Sequence, residues 1–141
     1  TMGYTTTFNG GFVLSKNLTD KQTEIINDIQ TERHDSQYSY NDRRREFPSI
    51  WNQWIIEQDR HGKDILVWDE GEKFYEYIGW LSYLIKTYFK EWGVELNGVV
   101  DFQGEEREDM GEIHITNNVI KVYEYDFKLI DSTKAYYEAI N

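Results

Sequence analysis

The sequence predicts an α+β fold: a single antiparallel sheet of five or six strands packs on one long amphipathic helix at about residues 72–92, and a shorter helix lies at about residues 20–33. Large apolar or aromatic side chains recur at helical spacing over residues 73–92 and form one stripe. The other apolar stretches are short and are separated by turn residues, as strands are. The stripe needs a sheet to cover it, and its members are Phe74, Tyr77, Ile78, Leu81, Leu84, Ile85, Tyr88, Phe89 and Trp92.

The N-terminal part begins with a predicted strand at residues 7–14, whose glycine pair indicates a bulge or a close approach of two backbones. Thr19-Asp20-Lys21-Gln22 has the form of a capping box, in which Thr19 and Gln22 satisfy each other's free backbone donors. The helix that follows has a narrow apolar face, which is typical of a surface helix. That face consists of Ile25, Ile26 and Ile29.

A polar loop and a hairpin follow the first helix. Residues 34–46 contain almost no apolar side chain, and Pro48 ends this loop. Residues 50–56 and 64–68 are predicted strands, and the Asp59-Arg60-His61-Gly62 sequence between them is typical of a turn.

The second half of the chain contains the long helix and three more strands. The Asp69-Glu70-Gly71-Glu72 turn places negative charge at the start of the helix, where the helix dipole favours it. Gly93 follows the helix as a C-terminal glycine. Asn117-Asn118 predicts a two-residue hairpin turn, because asparagine tolerates positive φ. The predicted strands are 95–103, 111–116 and 119–127, and a short helix is expected at 132–140.

The length of 141 residues suits one domain, which we place at residues 2–141 because Thr1 precedes Met2 and resembles a cloning remnant. The chain has no cysteine, which excludes disulfides and thiolate chemistry. The sequence shows neither a membrane-length apolar run nor a secretory signal, so a cytoplasmic protein is expected.

The formal net charge of −11 is unevenly distributed. Residues 1–60 carry 9 acidic and 7 basic residues, whereas residues 61–141 carry 17 acidic and 8 basic residues. A field of this sign repels nucleic acid and anionic membranes and attracts basic protein surfaces. The charge also favours solubility without any partner.

Six acidic side chains fall within twelve residues, opposed there only by Arg107. The simplest interpretation is a solvated hairpin tip with a turn at Asp109-Met110-Gly111. The alternatives are a surface that binds a partner, in which carboxylates copy the spacing of phosphates, and a site for a hard cation. No EF-hand spacing supports the cation. The six are Asp101, Glu105, Glu106, Glu108, Asp109 and Glu112.

Tryptophans and arginines near the first hairpin suggest a second site. Trp51 and Trp54 differ by three positions, so a regular strand would point them to opposite faces, with one in the core and the other exposed. An exposed tryptophan beside an arginine run can stack on a nucleotide and bind its phosphate, or can anchor a protein interface. This possible ligand pocket comprises Arg43, Arg44, Arg45, Trp51, Trp54 and Trp68.

Catalytic motifs are absent from the sequence. His34, His61 and His114 form no metal-binding spacing, and no serine lies in a nucleophile elbow. We therefore predict no catalytic residue, metal or cofactor. The enzymatic hypothesis that remains is a metal-dependent hydrolase, and its ligands would be Asp101, Glu106 and Asp109.

Several short motifs together resemble a family of small proteins from phages and prophages. The resemblance covers most of the chain. It implies a biological context and not a reaction mechanism: small acidic phage proteins without catalytic motifs are often inhibitors of host defence. The motifs are Pro48-Ser49-Ile50-Trp51-Asn52-Gln53-Trp54, Trp68-Asp69, Glu72-Lys73-Phe74-Tyr75, Trp80-Leu81 and Tyr83-Leu84-Ile85, with Phe8-x-Gly10, Leu96-Asn97-Gly98, Gln103-Gly104 and Asp109-x-Gly111.

The main functional hypothesis is a non-enzymatic interaction protein of phage type in the host cytoplasm. Its acidic surface would cover a basic, nucleic-acid-binding site on a host protein and thereby inhibit a defence system. The alternatives are a protein that binds or sequesters a small nucleotide and the metal-dependent hydrolase. We expect no direct contact with nucleic acid or membrane, and the sequence leaves self-association open.

Overall fold

The described residues form a six-stranded antiparallel sheet and two helices, so the α+β prediction is confirmed. The computed structural model describes residues 3–34, 47–126 and 128. The predicted helix at 132–140 lies outside these residues. The elements are β1 Thr7–Leu14, α1 Asp20–Thr31, β2 Trp54–Gln58, β3 Asp64–Trp68, α2 Tyr77–Leu84 with a π-helical continuation at Ile85–Phe89, β4 Leu96–Gln103, β5 Met110–Thr116 and β6 Val119–Glu124.

Hydrogen-bonded neighbours in the sheet follow the order β2-β3-β1-β4-β5-β6, with every pair antiparallel. Alternate residues of each strand point to the same face. One face carries the core, which includes Phe12, Leu66, Val100 and Ile113, and it packs on the helices. The opposite face, called the open face below, carries exposed residues such as Val99. Neither helix in the described part of the chain has the length and apolar character that a membrane crossing needs.

The local signals at the first helix and the hairpin turns act as predicted. Thr19 and Gln22 form the capping box, with bonds of 3.1 Å and 2.9 Å. The Asp59 carboxylate accepts hydrogen bonds from the backbone of the turn that joins β2 and β3. Asn117 and Asn118 both have positive φ, 46° and 68°, as a tight hairpin turn between β5 and β6 requires.

The glycine pair in β1 serves a close approach of two backbones. The register of β1 with β4 runs without interruption, so the pair does not form a bulge. At Gly10, φ is +105° and an added Cβ would lie 2.9 Å from the carbonyl oxygen of Val99. A side chain at this position would therefore force β1 and β4 apart.

The predicted long helix at 72–92 is wrong in its extent, because helical structure begins at Tyr77 and ends at Phe89. Three non-glycine residues before it, Glu70, Lys73 and Glu76, have positive φ and so interrupt any regular helix. This irregular segment delivers Phe74 to the core. The first turn of α2 contains no acidic residue, so the expected interaction of the 69–72 acids with the helix dipole is not formed.

The helix is also less amphipathic than the stripe suggests. The stripe residues Leu81, Leu84, Ile85 and Phe89 are buried as predicted, but Trp80, outside the stripe, is also completely buried. The irregular segment at residues 47–52 covers this second side, where the Trp80 indole N–H donates to Ser49 Oγ at 2.7 Å. A helix covered on two sides needs apolar residues around most of its circumference.

Two asparagine side chains close the edge of the sheet at β2. Asn52 accepts from the N–H of Trp54 and donates to its carbonyl oxygen, both at 3.0 Å. Asn27, from α1, does the same for Ile56, at 2.8 Å and 3.3 Å. Each amide thus takes the place of a neighbouring strand, because its NH2 group can donate and its carbonyl oxygen can accept. The β2 edge is sealed at both residues.

We predict that Asn52→Ala destabilises the fold, because it leaves the buried N–H and C=O of Trp54 without partners. The expected loss in the free energy of unfolding is about 1–3 kcal/mol for each unsatisfied group. Urea unfolding followed by tryptophan fluorescence measures it. Asn9→Ala, at an exposed position of β1, is the matched control and should change stability little. Equal stability of both variants would contradict the sealing role of Asn52.

Candidate functional site

The structure brings the six predicted acidic residues together along β4, β5 and the loop between them. Asp101 of β4 lies directly opposite Glu112 of β5 on the open face. The loop follows two residues after Asp101 and carries three exposed carboxylates. We call this set the acidic surface, and it consists of Asp101, Glu105, Glu106, Glu108, Asp109 and Glu112.

The predicted turn at Asp109-Met110-Gly111 is wrong, because Met110 and Gly111 belong to β5 and the chain turns at residues 105–108. The side-chain amide of Gln103 holds this loop by donating to the backbone carbonyl of Glu106 at 3.0 Å. The Gly104 N–H donates to the carbonyl oxygen of Asp109 at 2.7 Å and closes the loop. The loop therefore has an internal framework that presents its carboxylates outward.

Tyr4 anchors the loop from the N-terminal side. Its hydroxyl donates to Asp109 Oδ2 at 2.6 Å and accepts from the backbone N–H of Glu106 at 3.2 Å. The bond to the Asp109 carboxylate raises the pKa of Tyr4. Asp109 is half-buried and already bound, so it contributes to loop structure more than to the exposed charge.

A Tyr–Glu–His group lies on the open face beside Asp101, toward the β6 edge of the sheet. Glu112 lies with Oε1 2.7 Å from His114 Nε2, and its other oxygen accepts from the hydroxyl of Tyr125. These bonds, that of Tyr125 foremost, lower the pKa of Glu112, and the same bond raises the pKa of Tyr125 to about 12. The ring of Tyr123 packs edge-on against His114 with centroids 4.7 Å apart.

Two exposed tyrosines, Tyr123 and Tyr125, therefore flank the acidic surface, and residue-type patterns in the sequence did not identify them. The signal that could have found them is the Asn117-Asn118 turn. A two-residue turn fixes the register of its hairpin. That register sets Tyr123 opposite Glu112 and brings the N–H of Tyr125 to the carbonyl of Met110.

Trp54 is completely buried and so cannot line the predicted tryptophan and arginine pocket, whereas Trp51 is exposed, which confirms that one of these two tryptophans lies in the core. The Trp54 indole N–H donates to the carbonyl of Tyr77, and its ring packs against Phe8 and Phe74. Trp68 pairs with Trp54 in the register of β2 and β3 and is half-buried.

Trp51 is the exposed member of the group, with 46% of its surface accessible, and it lies in the irregular segment before β2. The Arg43-Arg44-Arg45 run falls outside the described residues. Trp51 is thus the most exposed tryptophan of the predicted pocket.

The three residues predicted as metal ligands of a hydrolase lie in different parts of the fold. Asp101 lies on the open face, Glu106 lies in the turn, and Asp109 is bound by Tyr4. Over residues 3–34, 47–126 and 128, no group of three or more His, Asp or Glu side chains is arranged to hold a metal ion.

The three histidines are also separate from one another. His34 is buried with Nε2 2.7 Å from the carbonyl of Ile29 and packs on Phe47 and Trp80. His61 lies in the turn between β2 and β3, and His114 is in β5. The arrangement of His34 is that of a core residue.

No protein-family model, curated protein or solved structure matches the chain. The resemblance to small phage and prophage proteins therefore stays a prediction, and so does the function that it implies. The acidic surface and its two tyrosines are the features of the fold that bear most on function.

We predict that Tyr125→Phe raises the pKa of Glu112 toward its usual value, because the largest cause of the lowering is removed. A carboxyl whose pKa is lowered by folding stabilises the fold above its unfolded pKa and loses that contribution as pH falls. The variant should therefore lose less stability on acidification than the wild type. Carbon-detected NMR titration of the Glu112 carboxyl measures the pKa. Tyr75→Phe, outside the open face, is the control, and an unchanged Glu112 titration in Tyr125→Phe would refute the bond.

Proposed function

We propose that the chain is a non-enzymatic interaction protein that binds a basic surface of another protein through the acidic surface. The observation that supports this most is the clustering of exposed carboxylates on β4, β5 and their loop, next to Tyr123 and Tyr125. Exposed carboxylates attract a basic partner during diffusion and fix how the two proteins are oriented when they bind. Exposed tyrosines supply contact area at low conformational cost, which protein interfaces favour.

The bonding within the loop supports the same function. Gln103, Gly104 and Tyr4 fix the backbone that carries Glu105, Glu106 and Glu108. A surface that is already ordered loses less conformational entropy on binding, so more of the interaction energy appears as affinity. Repulsion among neighbouring carboxylates is also relieved when a cationic surface covers them.

The partner in this proposal is a host protein with a basic, nucleic-acid-binding site, and the setting is the host cytoplasm. Its arginine and lysine side chains would bind the carboxylates in place of phosphates. Coverage of that site would inhibit the partner, in keeping with the resemblance to phage proteins and the role in blocking host defence that it implies. Binding of this kind weakens as salt rises.

We expect a variant with Glu105→Gln, Glu106→Gln and Glu108→Gln to lose most of its partner binding, since these side chains carry exposed charge without supporting the fold. The matched control is Glu24→Gln, Glu32→Gln and Glu91→Gln, which removes the same charge from exposed sites elsewhere. Immobilised wild type and variants are incubated with bacterial lysate at low salt, and captured proteins are quantified by mass spectrometry.

The supporting result is a basic protein captured by the wild type and the control, lost in the loop variant, and eluted by short duplex DNA or RNA. Elution by nucleic acid shows that the captured site is the one that binds phosphates. Equal capture by the loop variant and the control would contradict the proposal, as would capture that nucleic acid does not disturb.

A further inference from the structure

The two edges of the sheet differ in how their backbone groups are satisfied. At β2 the outward groups of Trp54 and Ile56 bond to asparagine side chains. At β6 the N–H of Tyr125 donates to the carbonyl of Met110, so alternate residues of β6 face β5 and those between them face away. The outward residues are Ile120, Val122 and Glu124, and within the described ranges nothing hydrogen-bonds to their backbone groups.

The open edge at β6 is also apolar for an exposed strand. Val119 and Val122 are exposed by 58% and 45%, and Tyr123 beside them is exposed as well. Edge strands with free backbone groups and apolar side chains pair readily with another strand, which is why many proteins protect them. The contrast with the sealed β2 edge indicates that β6 is kept available for pairing.

A groove of about 710 Å³ adjoins β6 on the helix side, between the π-helical segment and the β5–β6 turn. Ile85, Val94 and Ile120 are apolar members of its lining, and its charged members are Lys86, Lys90 and Glu95. Neither lysine has an ion-pair partner among residues 3–34, 47–126 and 128. Because two lysines face one carboxylate in this lining, this end of the β6 edge has an excess of positive charge.

The other end of β6 is negatively charged on the same side. Ile120 packs toward the core, so alternation puts the side chain of Glu124 on the helix side too. Glu124 and Asp109 both act on Tyr77, whose pKa is raised to about 12, mainly by burial and further by these two charges. Along its helix side, β6 thus runs from a lysine end to a carboxylate end.

We propose that β6 pairs antiparallel with β6 of a second copy of this chain, about a two-fold axis at Val122. In this register Val122 lies opposite Val122 of the second copy, and Ile120 lies opposite Glu124. All the outward backbone groups of both strands are then satisfied, because each opposed pair of this type exchanges two hydrogen bonds. The interface joins the same patch on both copies, as two-fold symmetry requires.

Charge complementarity favours this occupant. Ile120 lines the groove together with Lys86 and Lys90, and in this register the side chain opposite Ile120 is Glu124 of the second copy, whose carboxylate complements the two lysines. A parallel alignment would instead bring the two carboxylate ends together. Local attraction of this kind is needed because two copies, each with a net charge of −11, repel overall.

Sedimentation equilibrium of the full chain over a wide concentration range tests the pairing. The expected result is a monomer–dimer equilibrium in which Val122→Pro raises the dissociation constant roughly tenfold or more, a change of about 1.4 kcal/mol or more. Proline removes an N–H that points away from β5, so the internal ladder is kept. Val99→Thr, at an exposed site of the open face, is the control and should dimerise as the wild type does.

A charge exchange tests the register. Glu124→Lys alone and Lys86→Glu with Lys90→Glu alone should each weaken the dimer, whereas their combination should restore it. Glu91→Lys changes the net charge as much as Glu124→Lys does and is the control for that variant. Such restoration is expected only if the groups meet across the interface.

Amide hydrogen exchange distinguishes pairing with a second copy from coverage of the β6 edge by residues of the same chain. The amides of Ile120, Val122 and Glu124 should exchange quickly in dilute protein and slowly in concentrated protein. Slow exchange at every concentration in a monomer would overturn the proposal, because residues of the same chain would then cover the edge. A monomer with fast exchange at every concentration, or a dimer unaffected by Val122→Pro, would overturn it as well.

Discussion

The burial of helix α2 on two sides is the constraint on which the rest of the structure depends. Leu81, Leu84 and Phe89 pack toward the core, while Trp80 is covered by the segment at residues 47–52. This segment runs directly into β2 and carries Asn52, so covering the helix and sealing the sheet edge are tasks of one stretch of chain. The open face, which neither of the two described helices covers, carries exposed apolar residues such as Val13 and Val99 beside the acidic surface.

Much of the fold could be predicted because its signals are local. A capping box, two hairpin turns and a helical stripe each depend on a few neighbouring residues, and β1 and β3 are found at their predicted bounds. The start of α2 could not be predicted in the same way. Its position follows from positive φ at Glu70, Lys73 and Glu76, which tertiary packing imposes against the preference of these residue types.

The acidic residues of the candidate site could be predicted from the sequence, but the tyrosines that accompany them could not. Clustered carboxylates are visible in the sequence, because the residues are consecutive or nearly so. The contribution of Tyr123 and Tyr125 depends on the pairing of β5 with β6, and that of Tyr4 joins residues far apart in the chain. The sequence does not show which of Trp51 and Trp54 is buried, because that depends on tertiary packing: Trp54 packs on Phe8 and Phe74.

The asparagine seal on β2 has a consequence for how large an assembly can grow. A sheet with two free edges can add neighbours indefinitely and form a filament. In this sheet Asn27 and Asn52 occupy the groups that a further strand would need on one side. Pairing through β6 uses the remaining edge of each copy and leaves two sealed edges outside. Association by this route therefore ends at two copies.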